Sequence, residues 1–383
     1  MEMLRCVAEL RLVDHHCHGV LEDDLGRADF ESLLTEADTP APGTTLFDSL
    51  SGLAVRRWCA PVLGLPPHAP ADDYLARRAE LGAPEVNRRF LRAAGLAALC
   101  VDTGFATGRL LSPERMAEES GAHAYEIVRL EQVAEEVAAR HPSPREFAGA
   151  VRARLAERAA DAVGVKSIAA YRAGLALPPI RPSDAEVTSA VERWLPTIGD
   201  DQPRLADMTL HAFLAWCGVD LGLPIQFHVG YGDADVNLHH CDPLLLTPWL
   251  RATAPHGTPV MLLHNYPYHR NAAYLAQVFP HVYADAGLAT HNAAHRAPTV
   301  IAETLELIPF GKFLYSSDGY ALPELHHLGA LWFRRALDTF LRSGLDTGEW
   351  THDDAEHIAR LAGAENARRV YRLDERGPAA AGE

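Results

Sequence analysis

Residues 224–232, PIQFHVGYG, and 259–267, PVMLLHNYP, share one pattern: a short apolar run that ends on a histidine. VMLL holds no polar residue and IQF a single uncharged one, Gln226, so neither run carries a polar face for water. A strand buried on both faces belongs to a parallel sheet covered by helices. Working outward from these two runs, Pro224–Phe227 and Pro259–Leu263, six more read in the same way. They are Arg11–Val13, Ala97–Val101, Glu126–Leu130, Ala162–Ile168, His281–Ala284 and Lys312–Tyr315. Helical patterns fall between them, at Gln132–Arg140, Arg145–Asp161, Asp207–Leu221, Pro243–Ala254, Ala272–Val278 and Thr299–Ile308. Eight such units in 383 residues predict an α/β protein with a TIM-type (β/α)8 barrel. An open doubly wound sheet is disfavoured, because no GxGxxG loop follows the first run.

The first connection is long. The stretch 22–95 reads as several helices with Pro/Gly breaks around Pro61–Pro70, and is expected as a helical insertion over the barrel mouth. Residues 1–373 are expected to form a single barrel, with Pro323–Ser343 and His352–Tyr371 as closing helices. Residues 374–383 are expected to be a disordered tail.

Composition narrows the function. Hydrophobic residues make up 48% and charged residues 22%, an ordinary globular balance. The net charge of −16 opposes phosphate backbones and anionic lipid, so neither nucleic acid nor membrane is an expected partner. The expected partners are a small-molecule substrate and further copies of the same chain. No apolar run is long enough to span a bilayer, and the N-terminus lacks a signal-peptide pattern. Six scattered cysteines without a CxxC motif predict reduced thiols in a cytoplasmic protein.

Chemistry gathers at the ends of the apolar runs. His16 and His18 sit at i and i+2 after the first run, so both can reach one metal. With 20 histidines in the chain, chance alone supplies about one such pair, so position carries the argument rather than spacing. Barrel enzymes build their sites at the C-terminal ends of their strands. His228, His264 and Asp318 end the fifth, sixth and eighth runs, and Lys166 lies near the tip of the fourth. Burying each of these groups costs free energy unless it has a partner. A divalent cation held by imidazole and carboxylate is such a partner, and an open coordination position would make the site catalytic. Asp14 is placed to support the ligands. His15 and Cys17 are out of phase with the pair. His15 is expected to face the barrel exterior and Cys17 to be a small packed side chain. His239, His240, His256, His269, His281, His326, His327 and His352 are expected on the surface or in loops.

This order of residues, with the phrases GVKSIAAYR, PIQFHVGYGD, LLHNYPYHRNAAYLA, VYADAGLA and SSDGYALPE, resembles the amidohydrolase superfamily of the amidohydrolase-2 type. It is most similar to the domain fused ahead of glutamine synthetase-like domains in nodulin-related and fungal developmental proteins. The resemblance implies roles. His16, His18 and His228 would be metal ligands, and Asp318 both ligand and general base. His264 would bind metal or polarise the scissile carbonyl, and Lys166 would be a carboxylated bridge between two metals. The implied cation is Zn²⁺, with Mn²⁺ or Fe²⁺ as alternatives. The implied activity is metal-dependent hydrolysis of a non-peptide C–N bond in a small molecule, with γ-glutamyl amides as a candidate class. A decarboxylase, a lactonase and a non-catalytic binding or regulatory barrel are the alternatives. For substrate contacts, Arg172 and Arg129 are expected to hold a carboxylate. Tyr231, Asp233 and Glu324 are expected near the mouth.

Overall fold

The structure, a computed structural model, describes residues 2–105, 108–140, 142–198 and 203–375. The chain divides into two compact units, Met1–Tyr125 with Asp285–Glu383, and Glu126–Ala284. Of the expected tail, residues 376–383 lie outside the described residues, and Leu373–Glu375 forms a 3-10 turn.

Seven strands are formed among the described residues, and strand order follows chain order. They are β1 Leu12–Cys17, β2 Leu96–Asp102, β3 His123–Arg129, β4 Gly164–Ser167, β5 Ile225–Val229, β6 Val260–His264 and β7 Val282–Ala284. The chain is therefore a parallel α/β protein.

In the unit Glu126–Ala284, β3 to β7 pair in parallel, each with the next. Val165, Ile225, Val260 and Val282 lie in register across four strands. β4, β5 and β6 are buried along their whole length, which explains their lack of a polar face. The helix Met208–Leu221 starts where Asp207 accepts the Thr209 and Leu210 amides, and stops at Gly222, which is left-handed at φ +66°. Within that helix Gly218 lies close to β4 and β5. A Cβ there would meet Ile225 at 3.0 Å and Val165 at 3.3 Å.

In the other unit β1 pairs in parallel with β2, with register shifts after Leu12 and after Asp14. The expected eighth strand is corrected. Its first residue, Lys312, closes a 3-10 turn, Phe310–Lys312, and the rest is extended without a regular ladder. It still runs beside β1: the His15 amide donates to Tyr315 O at 3.1 Å, and the Asp318 amide to His16 O at 3.1 Å. Asp318 itself has φ +50°, which breaks the extended run at the residue that carries the carboxylate.

The segment between β1 and β2 is helical, at Arg27–Ser32, Leu50–Ala54, Ala71–Leu81 and Ala83–Ala93. Phe30, Val55, Tyr74 and Phe90 from this segment share a core with Leu322, Leu325, Leu328 and Trp332. The latter three belong to the helix Pro323–Thr347. The expected helix His352–Tyr371 is broken into His352–Arg360, a π turn at Leu361–Glu365, and Asn366–Tyr371. At the turn Gly363 meets the apolar tails of Leu10 and Leu12, too closely for a Cβ.

His15, expected on the barrel exterior, enters a buried bridge. Its Nε2 lies 2.8 Å from Asp285 Oδ2 and its Nδ1 3.0 Å from the Tyr371 hydroxyl. Ser316 donates to the same Asp285 oxygen at 2.7 Å. The bridge ties β1 to the end of the last helix. Among the described residues no helix is long and apolar enough to cross a membrane, and all six cysteines are free thiols.

Candidate metal centre

Strand β1 leads into His16 and His18, both buried, and both turn an Nε2 toward Asp318. His16 Nε2 lies 3.1 Å, and His18 Nε2 3.6 Å, from the same oxygen, Asp318 Oδ1. The two rings are 5.2 Å apart and nearly perpendicular, at 84°. Two imidazole nitrogens and a carboxylate oxygen converging on one point is the donor set that a Zn²⁺-like cation takes. Phe105 and Tyr320 stack edgewise on His18 and form an aromatic side to this cluster.

The left-handed backbone at Asp318 stores strain of order 1–3 kcal/mol. Its neighbours hold it. Asp14 accepts the Ser317 amide at 2.9 Å and the Ser317 hydroxyl at 2.5 Å. The Gly319 amide donates to Ser317 Oγ at 2.9 Å, and the His18 amide donates to Gly319 O at 2.8 Å. Asp14 therefore supports Asp318 through Ser317. Burial pushes the Asp14 carboxyl up to about 7, against the Ser317 hydrogen bonds that lower it.

Three residues near this cluster were not expected. Asp102 ends β2, and one carboxylate oxygen lies with donor nitrogens of His16 and His18 inside a 4.8 Å span. Its signal was available, since LAALCVD is also an apolar run that ends on a polar group. His291 and His326 are both buried. Burial lowers His291 to about 4, partly opposed by Asp318. Burial, with His291 adding to it, lowers His326 to about 3. Both are neutral imidazoles at neutral pH. His326 and His269, expected on the surface or in loops, are instead buried in helices, while His281 is buried in the turn before β7.

In the unit Glu126–Ala284, His228 and His264 are brought together with ring centres 4.7 Å apart. Tyr171 packs 4.3 Å from His228. His264 and Asn265 both take left-handed backbone, at φ +67° and +66°. The Asn265 amide donates to Val229 O at 3.2 Å and its side chain to Leu262 O at 2.6 Å, which fixes this turn. Gly230 permits the close packing beside it, because a Cβ there would collide with the Tyr266 carbonyl oxygen.

Lys166 is buried on β4 with Arg129 and Gln226 as its register partners on β3 and β5. Gln226 and His228 are two apart on β5, so Lys166 shares a face with His228. Arg129 is buried as well. Arg172 ends the short helix Ala169–Arg172, and its buried Nε and Nη1 have no hydrogen-bond partner among the described residues. Tyr231 is half-buried, with its amide donating to Tyr266 O at 2.8 Å. Asp233 accepts the Asp235 amide at 3.0 Å. Glu324 lies in the other unit and is fully buried. It accepts from Arg78 Nε at 2.9 Å and from the Tyr74 hydroxyl at 2.8 Å.

The tip of β4 is anchored by Glu131. Its Oε1 accepts the Ser167 hydroxyl at 2.6 Å and the Ile168 amide at 3.0 Å, and lies 3.2 Å from His211 Nδ1. Burial alone would raise this carboxyl. The hydrogen bonds from His211 and Ser167 outweigh it and hold it below the ordinary carboxylate value. A carboxylate depressed on folding stabilises above its unfolded pKa, and that stability is lost as pH falls through the folded value. Glu131→Gln is therefore expected to lower stability at neutral pH and to flatten the loss of stability below about pH 4.3. Urea unfolding across that range measures it. An unchanged slope would remove Glu131 from this role.

The sequence model of the family described as Amidohydrolase matches residues 13–373. The chain belongs to that family. Among curated proteins, this amidohydrolase is 33% identical over 230 residues to Protein fluG of Emericella nidulans. The match covers 57% of this chain and 26% of the fungal protein, so the chain spans well under half of that relative. Among solved structures, a protein of Lactobacillus casei assigned as a metal-dependent hydrolase superposes with a TM-score of 0.83 at 28% identity. That match covers 97% of both chains. A uronate isomerase of Bacillus halodurans and a glucuronate isomerase of Caulobacter crescentus share the fold, at TM-scores of 0.61 and 0.64. Their identities are 14% and 16%, over 96% and 97% of this chain and 94% of each of theirs.

Proposed function

We propose that this amidohydrolase cleaves a C–N bond in a small amide, with a γ-glutamyl amide as the leading substrate class. The observation that carries the reading is the convergence of His16 and His18 on one oxygen of Asp318. These donors fit a divalent cation by chemistry and by spacing, and Zn²⁺ suits imidazole best. Such a cation would supply Lewis acidity, polarising a carbonyl and acidifying water. By family likeness, His228, His264 and Lys166 are proposed to join it. In the same reading the parallel sheet closes as a TIM-type barrel spanning residues 1–373, with 22–95 at its mouth.

The chain's own residues then divide the work. His16 and His18 hold the cation, and the strained backbone at position 318 aims the Asp318 carboxylate at both rings. Asp318 takes a proton from water and delivers it to the leaving nitrogen, the role of a general base and then acid. His264 offers an imidazole to the developing oxyanion. Arg172 carries a guanidinium with two buried nitrogens lacking partners among the described residues, which suits a carboxylate on the substrate. A cytoplasmic setting fits the six free thiols.

Mass balance on a broad panel of amides, lactones and aromatic carboxylates tests the reading. Release of amine or ammonia with an equimolar acid is the expected result. Release of CO₂, ring opening alone, or sugar-acid isomerisation would each replace it.

A further inference from the structure

A second cluster of donors lies beside β1, and two of its three residues, Cys17 and His326, have no role in the site described above. It consists of Asp14, Cys17 and His326, all fully buried. In a regular strand residues 14 and 17 face opposite sides. The register shift between Asp14 and Cys17 breaks that alternation, as a bulge does. His326 lies near the start of the helix Pro323–Thr347 and packs on Gly319, where a Cβ would come within 2.6 Å of the ring. A carboxylate oxygen, the thiol sulfur and an imidazole nitrogen consequently lie within 4.8 Å of one another.

We propose that Asp14, Cys17 and His326 form a second cation site, separate from His16, His18 and Asp318, that takes a thiophilic divalent cation such as Zn²⁺.

The argument rests on unmet bonding capacity. The His326 ring is buried and its hydrogen-bond partner is the His18 backbone, which serves one ring nitrogen and leaves the other for a cation. A buried polar atom left unmet is costly, and a cation bound at that second nitrogen removes part of the cost. Asp14 accepts two hydrogen bonds from Ser317, and a carboxylate has further lone pairs to give. The contact from Cys17 Sγ to Cys100 O is long, at 3.7 Å. Sulfur, nitrogen and oxygen donors together select Zn²⁺ or Co²⁺ over Mg²⁺ or Ca²⁺. Metal–ligand lengths of about 2.0–2.3 Å place neighbouring ligands roughly 3.5 Å apart, so binding requires a contraction of no more than about an ångström. On binding, the Cys17 thiol loses its proton to solvent as the sulfur–metal bond forms.

The test uses the full chain, stripped of metal and titrated with Co²⁺. A sulfur-to-cobalt charge-transfer band in the near ultraviolet is expected at stoichiometric cobalt. Cys17→Ser should abolish it, and Cys241→Ser should leave it intact. Should Cys17→Ser fail to fold, His326→Gln serves instead. It should bind one equivalent of Zn²⁺ fewer than the wild type by elemental analysis. No band at saturating cobalt, a band that survives Cys17→Ser, or unchanged zinc content in His326→Gln would overturn the site. In Cys17→Ser the remaining visible d–d bands report cobalt on His16, His18 and Asp318, so the two sites are judged separately.

Discussion

Asp318→Asn is expected to lower kcat/KM on the best amide substrate by a factor on the order of 10²–10⁴, the usual contribution of a positioned acid–base group. Two features make the substitution clean. Asparagine is nearly isosteric with aspartate, and it tolerates the left-handed backbone that position 318 adopts at φ +50°. The Asp318 amide bond to His16 O and the Asp14–Ser317 bonds are also untouched. The variant should therefore fold, and its thermal unfolding should show it. The convergence of His16 and His18 on Oδ1 also predicts weaker metal binding, because an amide oxygen carries no full charge. Steady-state kinetics beside a metal titration separates the two effects. A kcat/KM within about tenfold of the wild type at full metal loading would deny Asp318 the role of base.

The second large effect concerns stability. Glu324→Ala should cost about 3–5 kcal/mol, the range for removing one member of a buried ion pair. The pair is fully enclosed, with side-chain exposures of 4% for Arg78 and 0% for Glu324. Removing the carboxylate strands the guanidinium in the core between the 71–81 and 323–347 helices and leaves the Tyr74 hydroxyl without its acceptor. Replacing both partners together, as Arg78→Met with Glu324→Leu, should recover most of the loss, because no charge then stays buried. Chemical denaturation measures both. The same variants separate a structural role for Glu324 from the substrate contact expected of it. A structural role leaves KM unchanged in the folded protein, and a substrate contact raises it.

Much of this arrangement was legible in the sequence. Each of the runs IQF, VMLL and LVDHHC is apolar or buried throughout and ends near a histidine, and each is a parallel strand. The physical reason is that a strand buried on both faces is mostly apolar, so a polar group at its tip stands out; Lys166 and Gln226 are the buried exceptions within β4 and β5. The same rule, applied to LAALCVD, would have found Asp102. Other features left no local trace. The eighth run looks like a strand, yet its ladder is irregular, because β1 shifts register beside it and Asp318 turns left-handed. His326 sits in a charged and aromatic stretch that reads as a surface helix. It is buried because the long connection after β1 supplies a core for the helix that carries it. Arg78 and Glu324 are 246 residues apart, and no short-range pattern announces their pairing.

The central claim is that His16, His18 and Asp318 hold a divalent cation. Anomalous diffraction from crystals of the zinc-loaded protein, recorded on both sides of the zinc edge, tests it most directly. The account predicts an anomalous peak within bonding distance of both Nε2 atoms and of Asp318 Oδ1. A fully loaded crystal whose zinc lies elsewhere, with Asp318 simply hydrogen-bonded to the two imidazoles, would contradict it.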